Sequence, residues 1–203
     1  NSDNPIKTIV VRSSTSEEGK SLINILLAKT ISELGKKVLL IDGDLRKPQI
    51  HSRLSLNNIS GLSNYLVDNE FKIKDLILKC PDNPNWDVLT AGLSPPDPTR
   101  LLSSNKMKNL LKDLKESEYD LIIIDAPPVV GLADAPLIAE NCDGLILVTS
   151  IDKVNRNLPK IAYDRVKTSG VNILGVLSNQ VKPFKSSINS YTSYNYNYNY
   201  NYN

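Results

Sequence analysis

Three stretches of this chain carry side chains whose types and spacing suit work on a phosphate group. The first is RSSTSEEGKSL, in which Gly19, Lys20 and Ser21 have the outline of a phosphate-cradling loop. A small residue lets backbone N–H groups approach the anion, a lysine reaches the β and γ phosphates, and a hydroxyl contacts Mg2+. Ser16, Glu17, Glu18 and Leu22 flank these three and join them as candidate nucleotide-binding residues. A full motif wants glycine where Ser14 stands, and Glu17 and Glu18 make the loop acidic. The plain alternative is a lysine at an ordinary helix start.

The second stretch is VLLIDGDLRKP, where a buried-looking apolar run empties into Asp42 and Asp44. Two carboxylates at a spacing of two suit metal binding or proton acceptance, and Arg46 and Lys47 behind them suit phosphate oxygens. A polar turn whose acids cap the next helix explains the same residues equally well in isolation. The third, LIIIDAPP, ends its apolar run at Asp125 and is followed by Asp134. An aspartate after four apolar residues is where P-loop enzymes place the acid near the metal.

The other end of the chain is unlike a folded core. From Ser190 it reads SYTSYNYNYNYNYN, which puts six of the nine tyrosines among the last thirteen residues: Tyr191, Tyr194, Tyr196, Tyr198, Tyr200 and Tyr202. No charged side chain follows Lys185. Low complexity of this kind predicts a disordered tail over 185–203 behind one domain over 1–184. A nucleotide site and a dense set of hydroxyls in one chain suggest tyrosine phosphorylation, whereas the bland reading of the tail is a sticky, aggregation-prone terminus.

Elements able to hold these groups follow from periodicity. Short apolar runs at Ile9–Val10, 38–41, 86–89, 121–124, 145–148 and 173–177 alternate with helical patterns at 21–34 and 99–114. That alternation predicts an α/β fold, a mostly parallel sheet flanked by helices on both faces. Ligands of such sheets bind beyond the carboxyl ends of the strands, where all three stretches fall.

Composition closes off other classes. With 203 residues and 40% hydrophobic content, one domain fits and two do not. A net charge of +2, without a basic stripe, leaves no electrostatic case for nucleic acid. Cys80 and Cys142 lack metal-site spacing and read as buried free thiols of a reducing cytoplasm. No apolar run approaches a membrane span, and a start at Asn1 rather than Met reads as a piece of a longer parent. His51 and Trp86 read as structural.

Taken with GLSNYL, LTAGLSPPDPTRLLSS, CDGLILVTS, NILGVLSNQV and the tyrosine cluster, these motifs resemble the bacterial tyrosine kinases of capsule and exopolysaccharide synthesis, within the MinD/ParA-like P-loop group. The resemblance runs from about residue 5 to the end. It implies ATP and Mg2+ as cofactors, with Lys20 and Ser21 as Walker A lysine and magnesium hydroxyl. Asp125 would be the Walker B acid, and Asp42 and Asp44 a second acidic motif, one activating the acceptor and the other near the metal. Catalysis would then rest on Lys20, Asp42, Asp44 and Asp125, metal contact on Ser21, Asp44 and Asp125, and nucleotide contact also on Arg46. The six tail tyrosines would be phosphoacceptors. A membrane polysaccharide co-polymerase or activator segment, fused or separate, would be the partner, and the parent's N-terminal segment would support homo-oligomers. The domain would work in the cytoplasm at the inner face of the cell membrane. Two departures stand out: Ser16 and Glu17 replace the family's usual Pro-Gly, and Arg100 stands where glutamate is usual. A MinD/ParA-like ATPase switch is the rival, although its extra lysine is replaced here by Thr15, and a degenerate nucleotide-binding regulatory module is the other.

Overall fold

The computed structural model describes residues 5–80, 83–130, 138–151 and 153–180. Asp134, Asp152 and residues 181–203, including every candidate phosphoacceptor and the expected domain boundary, lie outside the described residues.

Strand β1 (Thr8–Ser13) is buried along its whole length, as expected of a central parallel strand whose two faces are both covered. The same holds for β2 (Val38–Asp42). A short edge strand β3 (Ile77–Cys80) leads into β4 (Asn83–Leu89), and β5 (Leu121–Asp125), β6 (Gly144–Ser150) and β7 (Ile173–Asn179) complete the sheet. The order is β3-β4-β2-β5-β1-β6-β7. All neighbours are parallel except β3 and β4.

Alternate residues of the strands feed two hydrophobic layers. Ile9, Val11, Val38, Leu40 and Ile123 face Ile25 and Ala28 of helix α1 (Lys20–Glu33). Val10, Leu39, Ile41, Ile122 and Ile124 face the opposite layer, which holds Met107, Leu110, Leu111 and Leu114 of the helix Asn105–Lys115. The expected α/β sandwich is therefore present. Between β2 and β3 lie three short helices, α2 (Ile50–Arg53), α3 (Leu62–Val67) and α4 (Ile73–Leu76).

The helical pattern over 99–114 is two helices, not one. Helix α5 (Pro98–Leu102) ends at Ser103, and Ser104 accepts the Met107 N–H at 3.2 Å to cap α6 (Asn105–Lys115). Helix α7 (Asn157–Thr168) crosses from β6 to β7 and buries Ala162 and Val166. Cys80 and Cys142 are not joined in a disulfide and are only half-buried, and burial pushes the Cys142 thiol up to about 12. Trp86 is buried in the α1 layer, in keeping with a structural role. No helix among the described residues is long and apolar enough to cross a membrane.

Candidate functional site

Adjacent strands β2, β5 and β1 end side by side, and their exits form one cleft. Parallel pairing sets Asp42 directly beside Asp125 and brings Asp125 level with Val11, two residues before the loop opens. The backbone after β5 then runs along that loop: Val129 and Val130 donate to the Ser13 and Ser14 carbonyls at 2.8 and 2.9 Å. Arg12, almost wholly buried, reaches across with Nε to the Pro127 carbonyl at 2.7 Å and a terminal nitrogen to Pro128 at 3.1 Å. Burial pulls this guanidinium down to about 10 against the opposing pull of Asp44.

Two glycines permit the close approach. Gly43 donates to the Asp125 carbonyl at 2.8 Å, and a Cβ there would sit 3.1 Å from that oxygen. Gly19 caps α1 in the left-handed conformation at φ 87, where an L side chain is strained, and a Cβ would lie 2.2 Å from the Asn179 amide.

A cleft of about 210 Å³ opens over these strand ends. Its lining includes Ser16, Glu17, Gly19, Lys20, Ser21 and Asp44 from the expected set, with Lys47, Gln49 and Arg53 on another wall. Lys20 Nζ is paired with Asp125 Oδ1 and lies 3.6 Å from Asp44 Oδ2. Ser21 Oγ donates to Asp125 Oδ2 at 2.6 Å, and Asn24 Nδ2 donates to Oδ1 at 2.8 Å.

The two acids of the second motif are not equivalent. Asp42 is fully buried, with Oδ2 accepting the Gln49 and Ile50 N–H groups at 3.1 and 3.0 Å and thereby capping α2. Burial, and then the Asp125 charge beside it, raises Asp42 to about 7 against those hydrogen bonds. Asp44 instead lines the cleft, with Oδ1 accepting the Lys47 N–H at 3.2 Å.

Three expected nucleotide contacts point elsewhere with their side chains. Glu18 is buried and turned into the protein, accepting the Thr15 N–H and, at 2.8 Å, the Ser150 N–H at the end of β6. Leu22 is absent from the cleft wall and 44% exposed on the first turn of α1. Arg46 donates to Thr99 Oγ1 at 2.9 Å outside the cleft. Glu17, in the place of a family glycine, adopts φ 66 and lines the cleft with an exposed carboxylate.

Sequence reasoning missed Arg12, Asn24, Gln49 and Arg53. Asn24 alone had a readable signal, four residues beyond Lys20 and so on the same side of the helix.

The donor set suits a magnesium-bound nucleotide. Magnesium takes hard oxygens and needs few from the protein when phosphates supply others. Ser21, Asp44 and Asp125 offer such oxygens, while no cage of three or more His, Cys, Asp or Glu ligands exists among the described residues.

Comparison with known proteins agrees with this geometry. Residues 6–155 match the AAA domain family. The putative tyrosine-protein kinase CapB of Staphylococcus aureus is 36% identical over 194 residues, spanning 96% of this chain and 83% of that protein. The kinase domain of the Escherichia coli tyrosine kinase ETK superposes with a TM-score of 0.82 at 30% identity, covering 92% of this chain and 72% of that one. The septum site-determining protein MinD of Pyrococcus horikoshii, solved with Mg-ADP, superposes with a TM-score of 0.69 at 25% identity, covering 84% and 68%. A nucleotide-binding P-loop fold is thus common to all of these likenesses, and the similarity to named kinases spans nearly the whole chain: the protein belongs to the AAA domain family and, within it, to the bacterial tyrosine-protein kinases.

Proposed function

We propose that this chain transfers the γ-phosphoryl group of Mg-ATP to tyrosine hydroxyls, its own cluster from Tyr191 to Tyr202 first among them. The observation that carries the proposal is the convergence of Lys20, Ser21 and Asp44 on one cleft, with Asp125 buried behind it and bonded to both Lys20 and Ser21. Bound Mg-ATP would supply the phosphoryl group and the cation that neutralises its developing charge.

The chain's own residues do the rest. The N–H groups of the loop before α1, opened by Gly19, would hold the phosphates, and Lys20 would exchange its pairing with Asp125 for them. Ser21 and Asp125, already hydrogen-bonded to each other, are held where a metal oxygen contact is needed. A tyrosine hydroxyl with a pKa near 10 is a poor nucleophile unless a carboxylate lies within reach. Asp44 is the acid with cleft access and would lose its ion pair with Lys20 on nucleotide binding, so it is assigned the proton-accepting role as well as proximity to the metal. Asp42, enclosed by α2, fixes the loop that carries Asp44.

The wider biology extends this reading. A membrane polysaccharide co-polymerase or activator segment, fused or separate, recruits the domain to the inner face of the membrane and promotes its self-association. A flexible chain of about 20 residues has a root-mean-square span near 25 Å, the reach that phosphorylation of a neighbouring subunit's tail would require. Six phosphates would add roughly −9 to −12 charges and drive subunits apart, which would couple phosphorylation to capsular or exopolysaccharide export. The ATPase-switch reading lacks a use for six tail tyrosines.

Intact mass after incubation with Mg-ATP tests the core claim. Phosphates should accumulate on 191–202, and when Lys20→Met protein is mixed with an active, tail-deleted partner, label should appear on the inactive partner's tail. A tail that stays unmodified in both experiments overturns the proposal.

A further inference from the structure

We infer that Asn24 is a positioning residue, holding Asp125 in place for the metal when Lys20 leaves that carboxylate for the phosphates. The inference rests on the nucleotide reading above. Asn24 is fully buried one turn beyond Lys20, and its amide shares a single oxygen, Asp125 Oδ1, with the lysine. The other oxygen, Oδ2, is left to Ser21 at 2.6 Å. Asp125 itself has no exposure. If Lys20 were its only donor on Oδ1, each nucleotide-binding event would strip a buried carboxylate of its partner on that side, which is costly. A neutral amide remains on the oxygen without competing for phosphate, and it keeps the carboxylate plane turned so that Oδ2 stays beside Ser21.

Packing alone does not call for an amide here. The Asn24 carbonyl oxygen is buried without a hydrogen-bond partner, an expense that an apolar side chain of similar size would avoid. The buried stripe of α1 on which it lies holds Lys20, Ile25, Ala28 and Ser32. A purely structural role, that of a donor to the buried Asp125 carboxylate, predicts that Asn24→Leu lowers thermal stability and leaves the magnesium dependence of ADP binding unchanged. A positioning role predicts weakened metal coupling beyond any loss of thermal stability.

Calorimetric titration of ADP with and without Mg2+ separates the two, alongside thermal unfolding, for wild type, Asn24→Leu and Asn24→Ala. Magnesium should tighten ADP binding to the wild type. In both variants that gain should fall by about 10-fold or more, the usual consequence of losing a partner that orients a metal ligand. Metal-free ADP affinity should change far less. Should Asn24→Leu fail to fold, Asn24→Ala keeps the test, because alanine preserves the helix and removes the same donor. A magnesium gain equal to wild type in a folded variant overturns the role of Asn24 and leaves the nucleotide reading intact. A wild type whose ADP binding ignores magnesium overturns that reading, and this inference with it.

Discussion

Opposite ends of the same sheet treat their carboxylates in opposite ways. At the amino ends of the strands, Asp143 accepts from the Lys7 and Thr8 N–H groups, the Thr8 hydroxyl and Lys115 Nζ, all at 2.7 to 2.9 Å. Burial alone would raise this acid, but those donors hold it down at about 2. On the same half of the sheet Tyr119 donates to Asp87 at 2.7 Å, and Lys79 pairs with that acid. At the carboxyl ends, Asp42, Asp44 and Asp125 crowd around Lys20, and Asp42 rises to about 7. The fold can satisfy an acid completely where nothing further is asked of it. Around Lys20 it leaves three carboxylates to one lysine, ready for a cation and for a proton.

Breaking the cleft should have the largest effect. Lys20→Met should reduce both nucleotide-linked thermal stabilisation and phosphoryl transfer to background, and Asp125→Asn or Asp44→Asn should lower transfer by roughly 100-fold or more. Radiolabel incorporation and melting with and without Mg-ATP check this. Near wild-type transfer in Lys20→Met would erase the functional half of the contrast.

The next two substitutions should move stability in opposite directions. Asp42 ionises near 3.8 when unfolded and near 7 when folded, so folding favours its protonated form and its cost grows as pH rises from about 4 to 7. Asp42→Asn should match wild type at pH 4 and exceed it at pH 8 by ~4 kcal/mol, yet lose activity through the loop it fixes. Asp143 has the depressed value, so its stabilisation is present above about 4 and disappears as pH falls toward 2. Asp143→Asn should cost about 2 kcal/mol at neutral pH, lower Tm by about 6 °C, and leave transfer unchanged. Melting curves from pH 4 to 8 decide both. Destabilisation by both at pH 8 would show that the two ends are built alike.

What the sequence disclosed follows the physics of each element. Strands β1, β2, β5 and β6 are central, so continuous apolar runs announce them, and Asp42 and Asp125 stand out as the charges that end such runs. Strand β3 is a four-residue, partly exposed edge with antiparallel pairing, and ILKC carries no comparable signal. Ser103 and Ser104 look like tolerated polar positions within one helix until Ser104 is seen capping a second. In the site, motif spacing located Lys20 and Ser21, while direction was hidden. Glu18 and Glu17 are neighbours of one type, yet one braces β6 from inside and the other faces the cleft. Arg12 and Asn24 act through tertiary contacts to residues more than 100 positions away, beyond the reach of local pattern.

The smallest expected effect sharpens the contrast within the cleft itself. Glu17 departs from the family's glycine in two respects at once: a side chain at φ 66 and a negative charge on the wall that phosphates approach. The left-handed conformation costs a non-glycine residue about 1 kcal/mol, but glycine gives back roughly 0.5 to 1 kcal/mol through its freer unfolded chain. Glu17→Gly should therefore change Tm little. Charge is a separate matter, because two anions a few ångströms apart near a protein surface repel by about 1 kcal/mol or more, enough for roughly 5-fold in ATP affinity. Glu17→Gln removes the charge and keeps the bend. If repulsion dominates, Gln and Gly variants should bind Mg-ATP equally and more tightly than wild type, with the advantage shrinking as salt is raised. If strain dominates, Gly alone should improve binding, and salt should leave its advantage untouched.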